Sequence, residues 1–278
     1  MDIDLLMIKI KQKNIQNADI ICCGDIGAGF RGFEEKFNFD ENWEMKVVEC
    51  IDKNKNNIYC IRGNHDDPGW FLNQPLRKVL RLKGLKYDKC PSNIFMCADY
   101  HILYLDKANV ICVGGGFSSD LNWRKEHQTD DNPLYWEGEM PEFNIGDRMY
   151  LRERLMAMLD VNPRKPIIVA SHSAPSFCTP YEKYHGKIAD DEILMQNNIE
   201  RSVINCVYYR IRKTIEDWYC NNNWDNCNSV LTKIKGPKIN WFYGHFHERN
   251  LKQKYLCDYF HGLNILDMIE FPVTKYNK

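Results

Sequence analysis

The chain has 278 residues and a formal net charge of −1, with 44% hydrophobic and 27% charged residues. This is an ordinary composition for a globular protein, with room for one large domain or two small ones. The near-neutral charge argues against a global basic field for nucleic acid, although a local basic patch is still open. No apolar run approaches the ~18–20 residues of a membrane span, and no secretory pattern is present, so we expect a cytoplasmic protein with no membrane partner.

The predicted elements alternate between helices and strands. Ile3, Leu6, Met7 and Ile10 form an apolar face that predicts an opening helix. Five short apolar runs follow, each ending at a polar loop, as strands covered on both faces do: residues 18–23, 58–61, 110–113, 167–170 and 241–243. Helical patterns lie between them, at 43–53, at 149–159 and in a stripe at Val203, Val207, Ile211, Ile215 and Trp218. This alternation predicts an α/β fold.

No internal repeat or clean linker divides the chain, so we expect a single domain over residues 1–278. The stretch 176–235 is long and polar between two predicted strands, and it is a candidate cap or substrate-facing insertion. The twelve cysteines include no Cys-x-x-Cys pair and mostly lie in apolar runs or helical patterns. We therefore expect reduced cysteines that act as small hydrophobic residues in the cytosol.

Polar side chains follow four of the five predicted strands. They occur in Gly24-Asp25, Gly63-Asn64-His65-Asp66, Ser171-His172 and Gly244-His245-Phe246-His247. Because ligands of open α/β sheets bind beyond the carboxyl ends of the strands, we expect these groups to form one site. For the Gly63–Asp66 loop alone, an ordinary turn is the alternative, since Asn, Asp and Gly are common turn residues.

The combined set predicts metal-assisted phosphoryl chemistry. A carboxylate, an amide oxygen and several imidazoles suit Mn²⁺, Fe²⁺ or Zn²⁺ better than Ca²⁺ or Mg²⁺. Asp25 is the natural bridge between two metals ~3.5–4 Å apart, which would activate a water and neutralise a phosphoryl group. His245 and His247 are two residues apart, so in an extended segment both side chains point the same way.

In this order, the motifs resemble those of the calcineurin-like metallophosphoesterase superfamily over roughly residues 18–250. The resemblance implies a four-layer sandwich of two mixed β-sheets flanked by helices, which hydrolyses phosphomonoesters or phosphodiesters with two divalent metal ions. It implies that Asp25 bridges the metals, that Asn64 and His245 bind the second metal and that His247 binds the first. It also places His172 among the metal ligands.

The same resemblance implies that His65 donates a proton to the leaving-group oxygen, with Asp66 as its orienting partner. One motif departs from the family: Met1-Asp2-Ile3-Asp4 stands where an Asp-x-His at the end of a first strand is expected, so that strand is missing. Three explanations compete, namely a start inside a longer product, which we favour, a one-metal variant, and a non-catalytic binding protein. We therefore expect two metals in the family and as few as one here.

The substrate is a phosphate ester whose identity the sequence leaves open. The glycine-rich segment 114–120 follows a strand, and it is equally a phosphate-binding loop or a flexible turn. Arg62, Asp120 and Arg124 are candidate substrate-binding residues, because arginine suits phosphate contact; ordinary surface charges are the alternative. Gly24-Asp25-Ile26-Gly27 and Asp66 do not match the Ser/Thr protein phosphatases. The oligomeric state is also open.

Overall fold

Two β-sheets pack face to face between layers of helix in the computed structural model. The model describes residues 3–28, 51, 53–71, 76–78, 93–129, 133–178, 191–222, 237–245, 251–263 and 268–270. Side chains from both sheets form the layer between them, where Tyr59, Ile61 and Cys97 pack with Val110 and Cys112. The result is a helix–sheet–sheet–helix arrangement, which confirms the predicted four-layer α/β sandwich.

The first sheet has four strands, in the order β1-β2-β4-β3. Its strands are β1 Asp19–Cys23, β2 Asn57–Ile61, β3 Leu76–Lys78 and β4 Ile94–Cys97. β1, β2 and β4 run parallel, and β3 pairs antiparallel with β4. Helix α1, Ile3–Gln12, covers its outer face with Leu6, Met7 and Ile10, which confirms the predicted opening helix.

The second sheet has six strands, in the order β5-β6-β7-β8-β10-β9. They are β5 Ile102–Tyr104, β6 Asn109–Val113, β7 Ile167–Ser171, β8 Ile239–Tyr243, β9 Leu251–Tyr255 and β10 Asp258–Gly262. The four central strands are parallel, and β5 and β9 pair antiparallel at the edges. Both sheets are therefore mixed, as predicted.

Two long helices cover the outer face of the six-stranded sheet, and the short α2, Leu121–His127, follows β6. α3, Ile145–Val161, begins at a capping box in which Asn144 and Asp147 bond each other's backbone N–H. α4 spans Asp191–Asn222 and buries Val207, Ile211 and Ile215. These apolar faces confirm the predicted helical patterns at 149–159 and 203–218.

All five strands predicted from apolar runs are present, within two residues of the predicted bounds. The predicted helix at 43–53 lies almost entirely outside the described residues, as do 179–190 and 223–236 of the candidate cap. The cap and the single domain stay predictions, although α4 itself packs in the core. Across the described ranges, no helix is long and apolar enough to span a membrane.

Candidate metal centre

The predicted donor residues follow strands of both sheets, at the edge where the parallel strands end. In the four-stranded sheet, β1 leads to Asp25 and β2 leads to Asn64; in the six-stranded sheet, β7 leads to His172 and β8 leads to His245. The two edges meet directly, because Nδ1–H of His172 donates to the carbonyl oxygen of Cys23 at 2.9 Å. Packing of the two sheets therefore assembles this cluster.

Three atoms surround Nε2 of His172. Oδ1 of Asn64 lies 2.7 Å away, Nδ1 of His245 lies 3.1 Å away and Oδ1 of Asp25 lies 3.4 Å away. Ligand atoms bound ~2.0–2.2 Å from one metal are themselves roughly 3.0–3.4 Å apart. The observed separations are close to those of atoms that share a single cation.

The chemistry of this donor set fits a divalent metal. Nδ1 of His172 already donates its hydrogen to Cys23, so the neutral imidazole presents a lone pair at Nε2. That lone pair faces the oxygen atoms of Asn64 and Asp25, and a cation satisfies all three atoms together. Among the described residues, no group of three or more His, Cys, Asp or Glu side chains could hold a metal by itself, so the Asn64 oxygen is an essential member.

Asp25 is held as a carboxylate. Burial acts to raise its pKa, but the charges of His172, His65 and His245 and the backbone N–H of His65 outweigh burial and lower the pKa to about 2. That N–H donates to Oδ1 of Asp25 at 3.0 Å. The side chain is consequently available to a cation without first losing a proton.

The backbone is constrained around these donors. Asp25 and His245 both lie in the left-handed region, with φ of 54° and 57°, which costs free energy and is typical of functional sites. Glycines allow the close approach: a Cβ at Gly24 would lie 2.3 Å from Nδ1 of His172, and a Cβ at Gly63 would lie 2.1 Å from Oδ1 of Asp25. Only glycine fits at either position.

The loop after β2 buries two of its polar side chains and leaves the third accessible. Asn64 is 2% exposed and Asp66 is fully buried, whereas His65 between them is half-buried. His65 is therefore the member of this loop that an incoming molecule can reach beside the donor cluster.

Asp66 joins two loops through its carboxylate. Its oxygens accept hydrogen bonds from backbone N–H groups at distances of 2.7 to 3.4 Å, from Gly63, Ile26, Gly27 and Ala28. Burial raises the pKa of Asp66 and the charge of Asp25 adds to this effect, while the N–H groups of Gly63 and Ala28 oppose it. The predicted role of Asp66 as partner of His65 stays a prediction; the bonds present hold the Asp25 loop against the Asn64 loop.

Arg62 is 3% exposed and is bound by protein acceptors. Its Nη2 donates to Oδ2 of Asp99 at 2.7 Å, and its Nη1 donates to the carbonyl oxygens of Gly138 and Glu139, both at 2.8 Å. Burial lowers the pKa of Arg62, but the charge and hydrogen bond of Asp99 outweigh burial and raise it overall.

Arg124 is likewise buried, at 2% exposure. Its guanidinium group binds both oxygens of Glu139 at 2.6 and 2.7 Å, and its Nε binds Oδ1 of the more exposed Asp120 at 3.2 Å. Substrate contact by Arg62, Asp120 and Arg124 stays a prediction, since both guanidinium groups already bind carboxylates of the protein.

Two residues next to the donors were missed from the sequence as site residues. Ser118 accepts a hydrogen bond from Nδ2 of Asn64 at 2.7 Å, and Glu139 accepts one from Ser118 at 3.2 Å. The glycine run before Ser118 was a local signal, whereas nothing around Glu139 in the sequence marks it. The predicted ligand His247 lies outside the described residues.

Comparison with known families agrees with this geometry. A family model described as calcineurin-like phosphoesterase matches residues 4–249, which is most of the chain and includes every predicted donor. A comparison with curated proteins finds no match. The family hydrolyses phosphoesters and implies divalent metals. On this match, together with the two mixed sheets and the shared site at their edge, the chain belongs to the calcineurin-like phosphoesterase family.

Proposed function

We propose that this chain hydrolyses a phosphomonoester or phosphodiester by attack of a metal-activated water. Asp25, Asn64, His172 and His245 would hold one divalent ion, and His247 would contribute to a second, with Mn, Fe or Zn as the candidates. The observation that supports this best is the meeting of oxygen and imidazole donors around Nε2 of His172. A divalent metal there would supply Lewis acidity and would lower the pKa of a bound water.

His65 is the proposed proton donor to the leaving-group oxygen. Its backbone N–H binds Asp25, so its imidazole starts at the margin of the donor cluster, and its half-buried ring can meet both substrate and solvent. A neutral leaving group departs more easily than an alkoxide, which is why a positioned acid accelerates the reaction. Asp66 and its backbone bonds keep this loop in place.

The test is hydrolysis of p-nitrophenyl phosphate and bis(p-nitrophenyl) phosphate with Mn²⁺, Fe²⁺ or Zn²⁺. We expect His65→Ala to lose about 10²–10⁴-fold in kcat and to keep its bound metal, as removal of a general acid does. His127→Ala is the matched control, because His127 is exposed on α2 and contacts Trp123. Wild-type protein that binds metal but hydrolyses neither ester would support the non-catalytic binding protein instead.

A further inference from the structure

A buried chain of four polar residues runs away from the metal centre. It consists of Asn64, Ser118, Glu139 and Arg124, whose exposed fractions are only 2%, 4%, 3% and 2%. Polar groups at this depth destabilise a protein unless they are hydrogen-bonded, and each neighbour in this chain supplies a partner. We call these residues the amide-orienting chain.

The direction of every hydrogen bond in the chain is fixed by its chemistry. Arg124 can only donate, and it gives Nη1–H to Oε1 of Glu139 at 2.7 Å and Nη2–H to Oε2 at 2.6 Å. The Glu139 carboxylate can only accept, so Ser118 must donate its hydroxyl hydrogen to Oε2, at 3.2 Å. The Ser118 oxygen then offers only lone pairs, and Asn64 must turn its NH₂ group toward it, at 2.7 Å.

The orientation of Asn64 follows from this order. With Nδ2 on Ser118, Oδ1 must point the other way, and it lies 2.7 Å from Nε2 of His172. An amide turned by 180° has nearly the same shape, so packing alone would not choose between the two orientations. The turned amide would place an NH₂ group among the metal donors, where it has no lone pair for a cation.

We propose that Arg124, Glu139 and Ser118 are positioning residues that hold the oxygen of Asn64 toward the metal. Both ends of the chain are anchored, because the carbonyl oxygen of Leu134 accepts a bond from Arg124 and the N–H of Trp136 donates to Glu139. The inference rests on the proposed function and extends it, since it gives the buried Arg124 a role in metal affinity rather than in substrate contact.

The experiment measures Mn²⁺ affinity of the folded protein from the electron paramagnetic resonance signal of free Mn²⁺. We expect Ser118→Ala to weaken binding by about 10-fold or more, in the range found when partners of a metal ligand are removed. Ser118→Thr keeps the hydroxyl and should recover most of the affinity. Ser119→Ala makes the same change at the exposed neighbouring residue and should bind as wild type does.

Glu139→Gln is the second variant, and it keeps the size of the side chain. Its amide can donate to Ser118, which frees the Ser118 hydrogen for Asn64 and favours the turned amide, so affinity should again fall about 10-fold. A purely structural role would lower the thermal midpoint and leave the Mn²⁺ affinity of folded protein unchanged. Wild-type affinity in both variants would overturn the inference alone, whereas wild-type protein that binds no Mn²⁺ would overturn the proposed function as well.

Discussion

The four-stranded sheet supplies oxygen atoms to the candidate metal centre, whereas the six-stranded sheet supplies imidazole nitrogens. Asp25 and Asn64 follow strands of the first sheet, and His172 and His245 follow strands of the second. Borderline divalent metals accept mixed nitrogen and oxygen ligands, so the two sheets together offer a set that neither offers alone. Metal binding should therefore report on the packing of the two sheets.

The two sides also hold their donors differently. On the oxygen side, loops are kept in place by hydrogen bonds of buried side chains, from the Asp66 carboxylate to backbone N–H groups and from Asn64 to Ser118. On the imidazole side, the donors follow directly from paired parallel strands, and Gly244 N–H donates to the carbonyl oxygen of His172 at 3.1 Å. We expect polar substitutions to damage the oxygen side more.

The largest effect should come from Asp25→Asn, which replaces a donor carboxylate with a neutral amide of the same shape. Mn²⁺ affinity should fall more than about 100-fold, because loss of a ligand should exceed the 10–100-fold typical of its outer partners. Asn also tolerates the left-handed backbone at φ 54°, so the loop should keep its shape. A manganese titration measures the change.

Asp19→Asn is the control for this prediction. It makes the same change on the exposed first residue of β1, whose carboxylate binds Nδ2 of Asn57. Its Mn²⁺ affinity should equal that of wild type. Equal affinity in Asp25→Asn would remove Asp25 from the ligand set.

Asp66→Asn should reduce stability by about 1–3 kcal/mol, the cost of leaving buried hydrogen-bonding groups without partners. An amide has one oxygen, so its NH₂ group would face N–H donors that now meet the second carboxylate oxygen. These donors come from Gly63, Ile26, Gly27 and Ala28. Urea unfolding of the metal-free protein measures the free energy of unfolding.

Asp67→Asn is the matched control, since Asp67 accepts one bond, from Gly69 N–H at 2.8 Å, and asparagine can accept it too. Little change in stability is expected there. If Asp66→Asn instead kept full stability and lost activity as His65→Ala does, Asp66 would act through His65, as the family resemblance implies.

His245→Gln tests the imidazole side through metal preference. Replacing a ring nitrogen with an amide oxygen should weaken Zn²⁺ more than Mn²⁺, because imidazole suits zinc whereas oxygen ligands suit manganese. We expect the ratio of zinc to manganese affinity to fall about 10-fold, as measured by competition titration. His127→Gln on the exposed face of α2 should leave the ratio unchanged, and an unchanged ratio in His245→Gln would show that His245 is not a ligand.

Local patterns were sufficient to predict the strands that lead into the site. An apolar run followed by a polar loop is a contiguous signal, and it marked β2 before Asn64 and β7 before His172. The same reasoning missed β9, Leu251–Tyr255, because its interior residues Lys252, Gln253 and Lys254 are polar. β9 becomes a strand by pairing with β10, and such context outweighs intrinsic strand preference.

Long-range polar contacts were beyond prediction from the sequence. Arg62 pairs with Asp99, 37 residues away, and Arg124 pairs with Glu139, 15 residues away. Each arginine followed a predicted strand, which made phosphate contact the natural expectation. Whether its charge is already neutralised depends on a partner that only the packed fold brings near.

The smallest expected effect tests whether helix packing supports the imidazole side. Ile211→Val removes one methylene from a fully buried side chain of α4, and should lower the free energy of unfolding by about 0.5–1.5 kcal/mol. Ile199→Val, on the same helix but 47% exposed, should change it little. Because His172 and His245 follow strands rather than α4, Mn²⁺ affinity should be equal in both variants. A fall in affinity that tracks the lost stability of Ile211→Val would mean that α4 helps to place the imidazoles.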